Sequence, residues 1–212
     1  VQLNTAGMEA LQAPLLEAIE RVLSPKAIQV RADSSMRGLE GLPSYVSVVK
    51  GEWPQVLQLT ENGVRFEAPA EGGQKTGWFY DHRENRRWLA PWVKGKRVLD
   101  LFCYLGGWGI QAAAFGAEEV TGVDVSSVAL DGFLRNGELN GLEGRVSAIE
   151  GNALDVVTQL AAEGERFDVV IADPPAFIKR KKDFNAGLSA YRHLNEQALR
   201  LVNPGGILVS AS

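Results

Sequence analysis

The sequence predicts an α/β protein with a doubly wound, mostly parallel sheet, preceded by a small N-terminal α/β domain and a hairpin. Three observations lead to this prediction. Strand-like and helix-like segments alternate from residue 97 onward, the strand-like segments are nearly continuous apolar runs, and the residues before 72 follow a different pattern. Apolar runs of this kind are typical of strands covered by helices on both faces. The alternation favours parallel strands joined by right-handed crossovers.

The composition narrows the class of protein. The 212 residues suit one large domain, or one domain with a small companion, and a hydrophobic content of 45% is enough for a core. The net charge of −4 excludes a protein that is basic overall, so a nucleic-acid surface would be a local patch. One cysteine and two histidines argue against a disulfide framework and against a metal site. No membrane-length apolar run or secretory signal is visible, so we expect a protein of the reducing cytoplasm. The composition does not decide the oligomeric state, and a homodimer stays open.

The first part of the chain predicts one helix, one strand and a hairpin. Apolar residues recur at helical spacing between Met8 and Val22, and "AIQVRAD" has the composition of a strand. "QVLQLTENGVRFEA" is a strong hairpin signal, because two apolar runs flank Asn62-Gly63. We place a domain boundary near Gly72, which gives a small domain over residues 1–71 and a main domain over residues 72–212. The chain does not begin with Met and ends in the strand-like "GGILVSAS", so we expect it to be part of a longer protein.

Five strands and four helices are predicted in the main domain. The strands are "KRVLDLFC", "EEVTGVDV", "RVSAIEG", "RFDVVIAD" and "GGILVSAS". The helices are "WGIQAAAFG", "SSVALDGFLRNGELNG", "ALDVVTQLAAEG" and "FNAGLSAYRHLNEQALRLV". The predicted sheet is truncated after its fifth strand, and ligands of such a sheet bind beyond the carboxyl ends of the strands.

The first strand of this sheet ends in a glycine turn, "DLFCYLGGWG". Glycines at a strand end let a ligand approach the backbone closely. The spacing is not G-x-G-x-x-G, however, and Asp100 would repel a pyrophosphate. An acid there fits a positively charged ligand better, and the sulfonium and amino groups of S-adenosylmethionine supply one. The candidate cofactor residues of this turn are Asp100, Phe102, Gly106 and Gly107.

The next three strands also end in polar side chains. Asp124 lies 17 residues after Gly107, about where an acid holds a ribose diol in nucleotide-binding sheets. Asn152 and Asp155 follow the third strand, where they could contact an adenine amine. One strand-terminal Asp is often only a helix cap, but four polar strand ends in register with a glycine turn favour a methyl donor over a nicotinamide cofactor. The candidates at these ends are Asp124, Val125, Asn152, Ala153 and Asp173.

Four stretches of the chain resemble a known family: "GQKTGWFYDHRENRR", "VLDLFCYLGGWG", "VTGVDVS" and "FDVVIADPPAFIK". They resemble class I S-adenosylmethionine-dependent methyltransferases, and within these the bacterial large-subunit rRNA cytosine-C5 methyltransferases of the RlmI type. The resemblance implies a Rossmann-like sheet, S-adenosylmethionine as cofactor and rRNA of the large ribosomal subunit as substrate. It also implies that the residues before 72 correspond to the family's central domain, and that a PUA RNA-binding domain precedes it.

The stretch "GQKTGWFYDHRENRR" connects the two predicted domains. By itself it reads as a linker and a capped helix with a basic face formed by Arg83, Arg86 and Arg87. The resemblance implies that the segment packs over the methyl donor. The donor-binding candidates are Gln74, Thr76 and Phe79, and the RNA-binding candidate is Arg83.

The stretch "IADPPAFIKR" follows the fourth strand. A Pro-Pro pair alone would only end the strand, with Phe177 filling the core. Beside a methyl donor and ahead of a basic run, it favours a pocket for an RNA base. Asp173 would reach a ring nitrogen or amine of the base, Pro174 would stiffen the loop, and Phe177 would stack on the base. The basic run that would contact phosphates is Lys179, Arg180, Lys181 and Lys182.

The methylated atom is left with alternatives. Carbon-5 of cytosine needs attack by an activated thiolate, and Cys103 sits in an apolar context on the cofactor side, where we expect a packed thiol. The resemblance places the nucleophile in a Ser-Cys-Ser motif after the fifth strand, so we expect it just after Ser212. Guanine N7 needs no cysteine and is the second candidate atom. An exocyclic amine fits less well, because Ala176 stands where an aromatic residue is usual. Two further alternatives are a fragment that binds cofactor or RNA without turnover and a small-molecule methyltransferase, although the basic loop and the family resemblance argue against the latter.

Overall fold

The structure, a computed structural model, describes residues 1–70 and 77–211. The chain folds as two compact units, Val1–Gln55 and Val56–Ser212. Within the described part of the chain, none of the helices has the length and apolar character needed to cross a membrane.

The first unit is a small α/β unit with a two-stranded antiparallel sheet. Its elements are α1 (Ala6–Ala10), α2 (Gln12–Leu23), β1 (Ile28–Ala32) and β2 (Tyr45–Lys50). The single predicted helix is divided in two at Leu11, and β2 was not predicted from the sequence. Leu3, Val30 and Ala32 are fully buried and form its core.

The second unit opens with the predicted hairpin, which the structure confirms. Strands β3 (Val56–Glu61) and β4 (Val64–Pro69) pair antiparallel through a two-residue turn. Asn62 and Gly63 both have positive φ, 53° and 84°, which a tight turn that matches the strand twist requires.

The main sheet has five parallel strands in the order β7-β6-β5-β8-β9. Their bounds are β5 (Arg97–Leu101), β6 (Glu119–Asp124), β7 (Val146–Glu150), β8 (Phe167–Ala172) and β9 (Val202–Ser210). The helices of this unit are α3 (Arg83–Trp88), α4 (Ala90–Val93), α5 (Gly109–Ala114), α6 (Ser127–Leu139), α7 (Ala153–Ala162) and α8 (Phe184–Arg200). The predicted doubly wound parallel sheet is confirmed, and the strand order reverses at β5.

Two clusters of buried side chains cover the two faces of the sheet. Val98 belongs to one cluster, whereas Leu99 and Leu101 belong to the other, as the alternation of side chains along a strand requires. Asp100 lies on the same face as Val98 and is also fully buried. A carboxylate in such a place needs a specific reason.

The hairpin belongs to the second unit, whereas the sequence analysis assigned it to the first domain. Two asparagines of α6 account for this difference, because they bind the backbone of β4. Asn136 Oδ1 accepts from the Glu67 amide at 2.8 Å, and Asn140 Oδ1 accepts from the Arg65 amide at 3.1 Å. The boundary near Gly72 lies outside the described residues and stays a prediction.

Candidate functional site

The glycine turn after β5 is held by close packing against the core. Gly106 has φ of 87°, and a Cβ there would lie 2.7 Å from the Phe133 ring. A Cβ on Gly109 would lie 2.8 Å from Asp100 Oδ2. A Cβ on Gly107 would meet Arg86 and Trp78 at ordinary contact distance. Closeness to a ligand was the predicted reason for these glycines, whereas a side chain at any of them would meet other parts of the protein.

Two further residues of this turn have unusual backbone conformations. Phe102 and Tyr104 have φ of 63° and 50°, which is uncommon for residues other than glycine. Such conformations often occur at ligand-binding turns. The Tyr104 amide donates to Asp124 Oδ2 at 3.0 Å, and its hydroxyl donates to the Gly77 carbonyl at 3.3 Å. The turn therefore joins the ends of β5 and β6 to the connecting segment.

Asp100 has one satisfied and one unsatisfied oxygen. Its Oδ2 accepts from the Gly109 amide at 2.8 Å, whereas the buried Oδ1 has no hydrogen-bond partner among residues 1–70 and 77–211. Burial raises the pKa of Asp100 to about 8, and the nearby charges of Asp173 and Asp124 act in the same direction. A buried oxygen without a partner is rare and calls for a ligand or an ion. A cationic group fits this oxygen.

Asp124 lies at the end of β6, where the sequence analysis placed it. Its Oδ2 receives the Tyr104 amide, and its Oδ1 receives the Ser126 amide at 3.0 Å. Each carboxylate oxygen can accept two hydrogen bonds, so both keep capacity for a diol. The next residue, Val125, is 67% exposed and gives this strand end an apolar surface.

Asn152 and Ala153 lie at the start of α7. Asn152 Oδ1 accepts from the Leu154 amide at 3.0 Å, so the residue is the N-cap of this helix. Ala153 is buried and packs in the second core cluster. Asn152 therefore caps a helix, which is the alternative role that the sequence allowed for a polar residue at a strand end. Contact with an adenine stays a prediction for Asn152, and binding of the methyl donor stays a prediction for Ala153.

The described part of the connecting segment packs against the glycine turn. The Phe79 ring lies 5.7 Å from the Tyr104 ring in an edge-to-face arrangement, and the Phe79 carbonyl accepts from Arg86 Nη2 at 2.6 Å. Gln74 and Thr76, the other donor-binding candidates of the segment, lie outside the described residues.

Arg86 does not belong to the basic face that was predicted for α3. Its side chain is only 3% exposed and forms a two-point ion pair with Glu61, with distances of 2.7 and 3.1 Å. Trp78 Nε1 and Gln111 Nε2 also donate to Glu61, at 3.1 and 2.8 Å. Arg86 therefore holds the hairpin, the connecting segment and α5 together. Arg83 and Arg87 remain on the exposed side of the helix.

Asp173 follows β8 and is joined to the glycine turn through Trp108. Trp108 Nε1 donates to Asp173 Oδ2 at 2.9 Å, and His82 Nε2 lies 3.9 Å from Oδ1. Pro174, the next residue, is buried and supports the loop. Neither Trp108 nor His82 was predicted from the sequence as a site residue. The sequence signal that could have identified Trp108 is its indole N–H donor in "GGWG". This turn and Asp173 follow neighbouring strands of the sheet.

Phe177 packs on helix α8. Its ring centroid lies 4.7 Å from that of Tyr191, and its amide donates to the Tyr191 hydroxyl at 3.2 Å. The ring is half-buried against the second core cluster. Phe177 therefore fills part of the core, which was one of the two roles predicted for it. The other role, stacking on a base, stays a prediction.

The basic run after this loop is exposed. Lys179, Lys181 and Lys182 reach solvent, and Arg180 pairs with Asp183 at 3.1 Å. Exposed cations on a loop beside a strand-end site suit contact with phosphates.

Cys103 is buried in the glycine turn. Burial raises the pKa of its thiol far above the usual range, and the charges of Asp100 and Asp124 raise it further. A nucleophilic cysteine needs a lowered pKa and access to its substrate. Cys103 has neither property, so its thiol is a packed side chain. Across the described ranges, no group of three His, Cys, Asp or Glu residues is arranged to hold a metal ion.

Curated relatives cover the whole of this chain. It is 37% identical to ribosomal RNA large subunit methyltransferase I of Photobacterium profundum and 36% identical to the protein of the same name from Klebsiella pneumoniae (strain 342). Each alignment spans 100% of this chain and 54% of the relative. The chain therefore spans about half the length of these relatives.

Solved structures share the fold. SMU.776, crystallised as a complex with SAH, has a TM-score of 0.82 at 23% identity, over 99% of this chain and 53% of that one. The tRNA m1G37 methyltransferase of M. jannaschii has a TM-score of 0.64 at 19% identity, over 91% of this chain and 51% of that one. At these identities the likeness concerns the fold alone.

The family model for S-adenosylmethionine-dependent methyltransferases matches residues 16–212, which include the sheet, the glycine turn and the strand-end acids. The chain belongs to the S-adenosylmethionine-dependent methyltransferase family.

Proposed function

We propose that this protein transfers a methyl group from S-adenosylmethionine to a base of large-subunit rRNA, at carbon-5 of cytosine. The observation that carries the proposal is the buried Oδ1 of Asp100 at the switch point of a parallel sheet, which has no hydrogen-bond partner within the described part of the chain. A ligand at that point is expected for this fold, and a cationic one suits the carboxylate. The names of the curated relatives support rRNA as the substrate.

The residues at the strand ends fit the methyl donor. Asp100 would pair with its positively charged amino acid portion, and Asp124 would accept hydrogen bonds from its ribose hydroxyls. When bound, the donor supplies a methyl group on a sulfonium, ready for transfer to a nucleophile. The other proposed donor-binding residues are Gln74, Thr76, Phe79, Phe102, Gly106, Gly107, Val125, Asn152, Ala153 and Asp173.

Asp173 would hold the target base. Its carboxylate is oriented by Trp108 Nε1, so it can accept a hydrogen bond from an amine or a protonated ring nitrogen in a fixed direction. Acting as an acid near N3 of cytosine, Asp173 would also donate a proton to the ring, which gains negative charge when carbon-6 is attacked. Pro174 would stiffen this loop, and Phe177 would contribute a ring face to the base.

The thiolate for cytosine must come from outside the described residues. Cys103 is buried and has a raised pKa, so it is unsuited to attack on carbon-6. We propose that the nucleophile is a cysteine just after Ser212, as the resemblance predicts. The same finding on Cys103 favours guanine N7 as the second candidate, because that atom attacks the methyl group directly.

The RNA backbone would bind to local basic patches. The net charge of −4 makes the protein unattractive to RNA as a whole. The exposed run from Lys179 to Lys182 and the exposed Arg83 are the proposed phosphate contacts.

Methylation of large-subunit rRNA by the protein, mapped by mass spectrometry, tests this proposal. With rRNA from a strain that lacks the gene as the substrate, we expect the protein to produce one additional 5-methylcytosine. Detection of 7-methylguanine instead would show that guanine N7, the second candidate, is the methylated atom. Absence of any methyl transfer to RNA, with S-adenosylmethionine bound, would contradict the proposal.

A further inference from the structure

A hollow of about 240 Å³ lies beside the carboxylate of Asp173. It is smaller than the ~300–1,000 Å³ pockets that hold drug-sized ligands, so it suits a single ring system. Its lining includes His82, Asn85, Trp88, Trp108 and Ala211.

Three contacts connect the hollow to the end of β8. Trp108 and His82 line it, and they are the same two side chains that approach Asp173, at 2.9 and 3.9 Å. Its floor is attached there as well, because the Ala211 amide donates to the Ala172 carbonyl at 2.9 Å. A ring in the hollow would therefore lie next to the carboxylate that is proposed to hold the target base.

An exposed indole forms one wall of the hollow. Trp88 is 61% exposed, although large aromatic side chains are usually well buried. Its ring packs on Trp92 at 5.6 Å, which limits its freedom and leaves the rest of its surface accessible. Enzymes that modify a base stack it between aromatic or apolar side chains in a small pocket. Trp88 and Trp108 offer such surfaces here.

The polar side chains of the hollow can read the edge of a base. Asn85 Nδ2 lies 3.1 Å from His82 Nδ1. With Asn85 as the donor, His82 Nδ1 accepts and Nε2 carries the proton. Nε2–H can then donate to O2 of cytosine, while Asp173 accepts from its amine. The Watson–Crick edge of uracil presents a donor at N3 and an acceptor at O4, so it fits this pair less well.

We propose that this hollow receives the target base, a cytosine stacked against Trp88, and that His82 selects it by its edge. The proposal rests on the proposed function and adds the subsite for its substrate. Exposed Arg83 and Arg87 lie on α3, the helix that carries Trp88, and suit the phosphates on either side of the base.

Nuclear magnetic resonance of the five indole N–H groups tests the proposal without turnover. Protein labelled with ¹⁵N and saturated with SAH would be titrated with CMP, UMP and GMP. We expect CMP to shift the Trp88 and Trp108 signals while Trp53 and Trp78 stay unchanged.

We expect His82→Ala to abolish the preference for CMP over UMP. Trp88→Ala should weaken CMP binding about tenfold, as loss of a stacking ring does. Phe184→Ala is the control, because Phe184 is also an exposed aromatic residue but does not line the hollow.

Three results would overturn the proposal. They are no shift at Trp88 with CMP, a stronger response to GMP than to CMP, and equal loss of CMP affinity in Trp88→Ala and Phe184→Ala. The test is separable from the proposed function. Methylated rRNA without a CMP response would refute the hollow alone. A CMP response without methyl transfer to RNA would refute the function and leave the hollow as a pyrimidine site.

Discussion

Trp108 Nε1 donates a hydrogen bond to Asp173 Oδ2 across 2.9 Å, and this bond joins the glycine turn after β5 to the loop after β8. The turn belongs to the proposed methyl-donor site, and the loop belongs to the proposed base site. Donor and base are therefore expected to be aligned by one side chain.

Replacing this indole tests its positioning role. In Trp108→Phe an aromatic ring is kept but the N–H donor is removed, so the Asp173 carboxylate is free to rotate. We expect kcat for RNA methylation to fall about tenfold, because small errors in orientation are costly. The affinity for S-adenosylmethionine, measured by calorimetry, should stay within about twofold of wild type. A variant with unchanged kcat would show that the bond is structural only.

Asp100 should make donor binding depend on pH. Its pKa is raised to about 8 from an ordinary 3.8, so the folded protein keeps this proton between those pH values while the unfolded chain releases it. The associated stability is fully present below about pH 4 and is lost as pH rises through about 8. A cationic donor would favour the carboxylate and release the proton on binding.

Calorimetry in buffers of different ionisation enthalpy would measure that release. We expect close to one proton per donor at pH 6 to 7, and none in Asp100→Asn. Asp100→Asn should also remove this part of the fall in stability between pH 4 and 8. Equal proton release in both proteins would mean that another group titrates.

The buried pair between Glu61 and Arg86 should be critical for folding. In Arg86→Met the Glu61 carboxylate loses its partner inside the core, which typically costs about 3–5 kcal/mol. The control is Arg192→Met, which breaks the exposed Arg192–Glu196 pair and should cost at most about 1 kcal/mol. Unfolding in urea measures both. If Arg86→Met does not fold, Arg86→Lys should still fold because it keeps a positive charge beside Glu61. Equal loss of stability in Arg86→Lys and Arg86→Met would contradict an electrostatic defect.

The basic run is expected to act on RNA alone. Replacing Lys179, Lys181 and Lys182 by alanine should lower RNA affinity and reduce the slope of log K against log salt by about 0.7 for each phosphate that is no longer neutralised. Binding of S-adenosylmethionine should be unaffected. An equal fall in donor affinity would show that the loop supports the donor site instead.

The sequence predicted the parallel sheet and the strand-end acids because both depend on local patterns. Asp100 and Asp124 follow apolar strands, and parallel topology brings such ends together whatever the details of packing. Arg86 could not be placed, because its burial depends on Glu61 from a hairpin far along the chain. Phe177 was ambiguous for the same reason, since its neighbour Tyr191 comes from a later helix. Hydrogen bonds such as that from Trp108 to Asp173 join positions whose spacing carries no periodic signal.

Binding of S-adenosylmethionine to Asp124→Ala tests the central claim most directly. The account holds that the acids at the ends of β5 and β6 bind the donor, so removal of the ribose acceptor should weaken binding about tenfold or more by calorimetry, because hydrogen bonds to a charged acceptor contribute about 1.5–3 kcal/mol. Circular dichroism would establish that the variant is folded. An unchanged affinity in a folded Asp124→Ala protein would contradict the account.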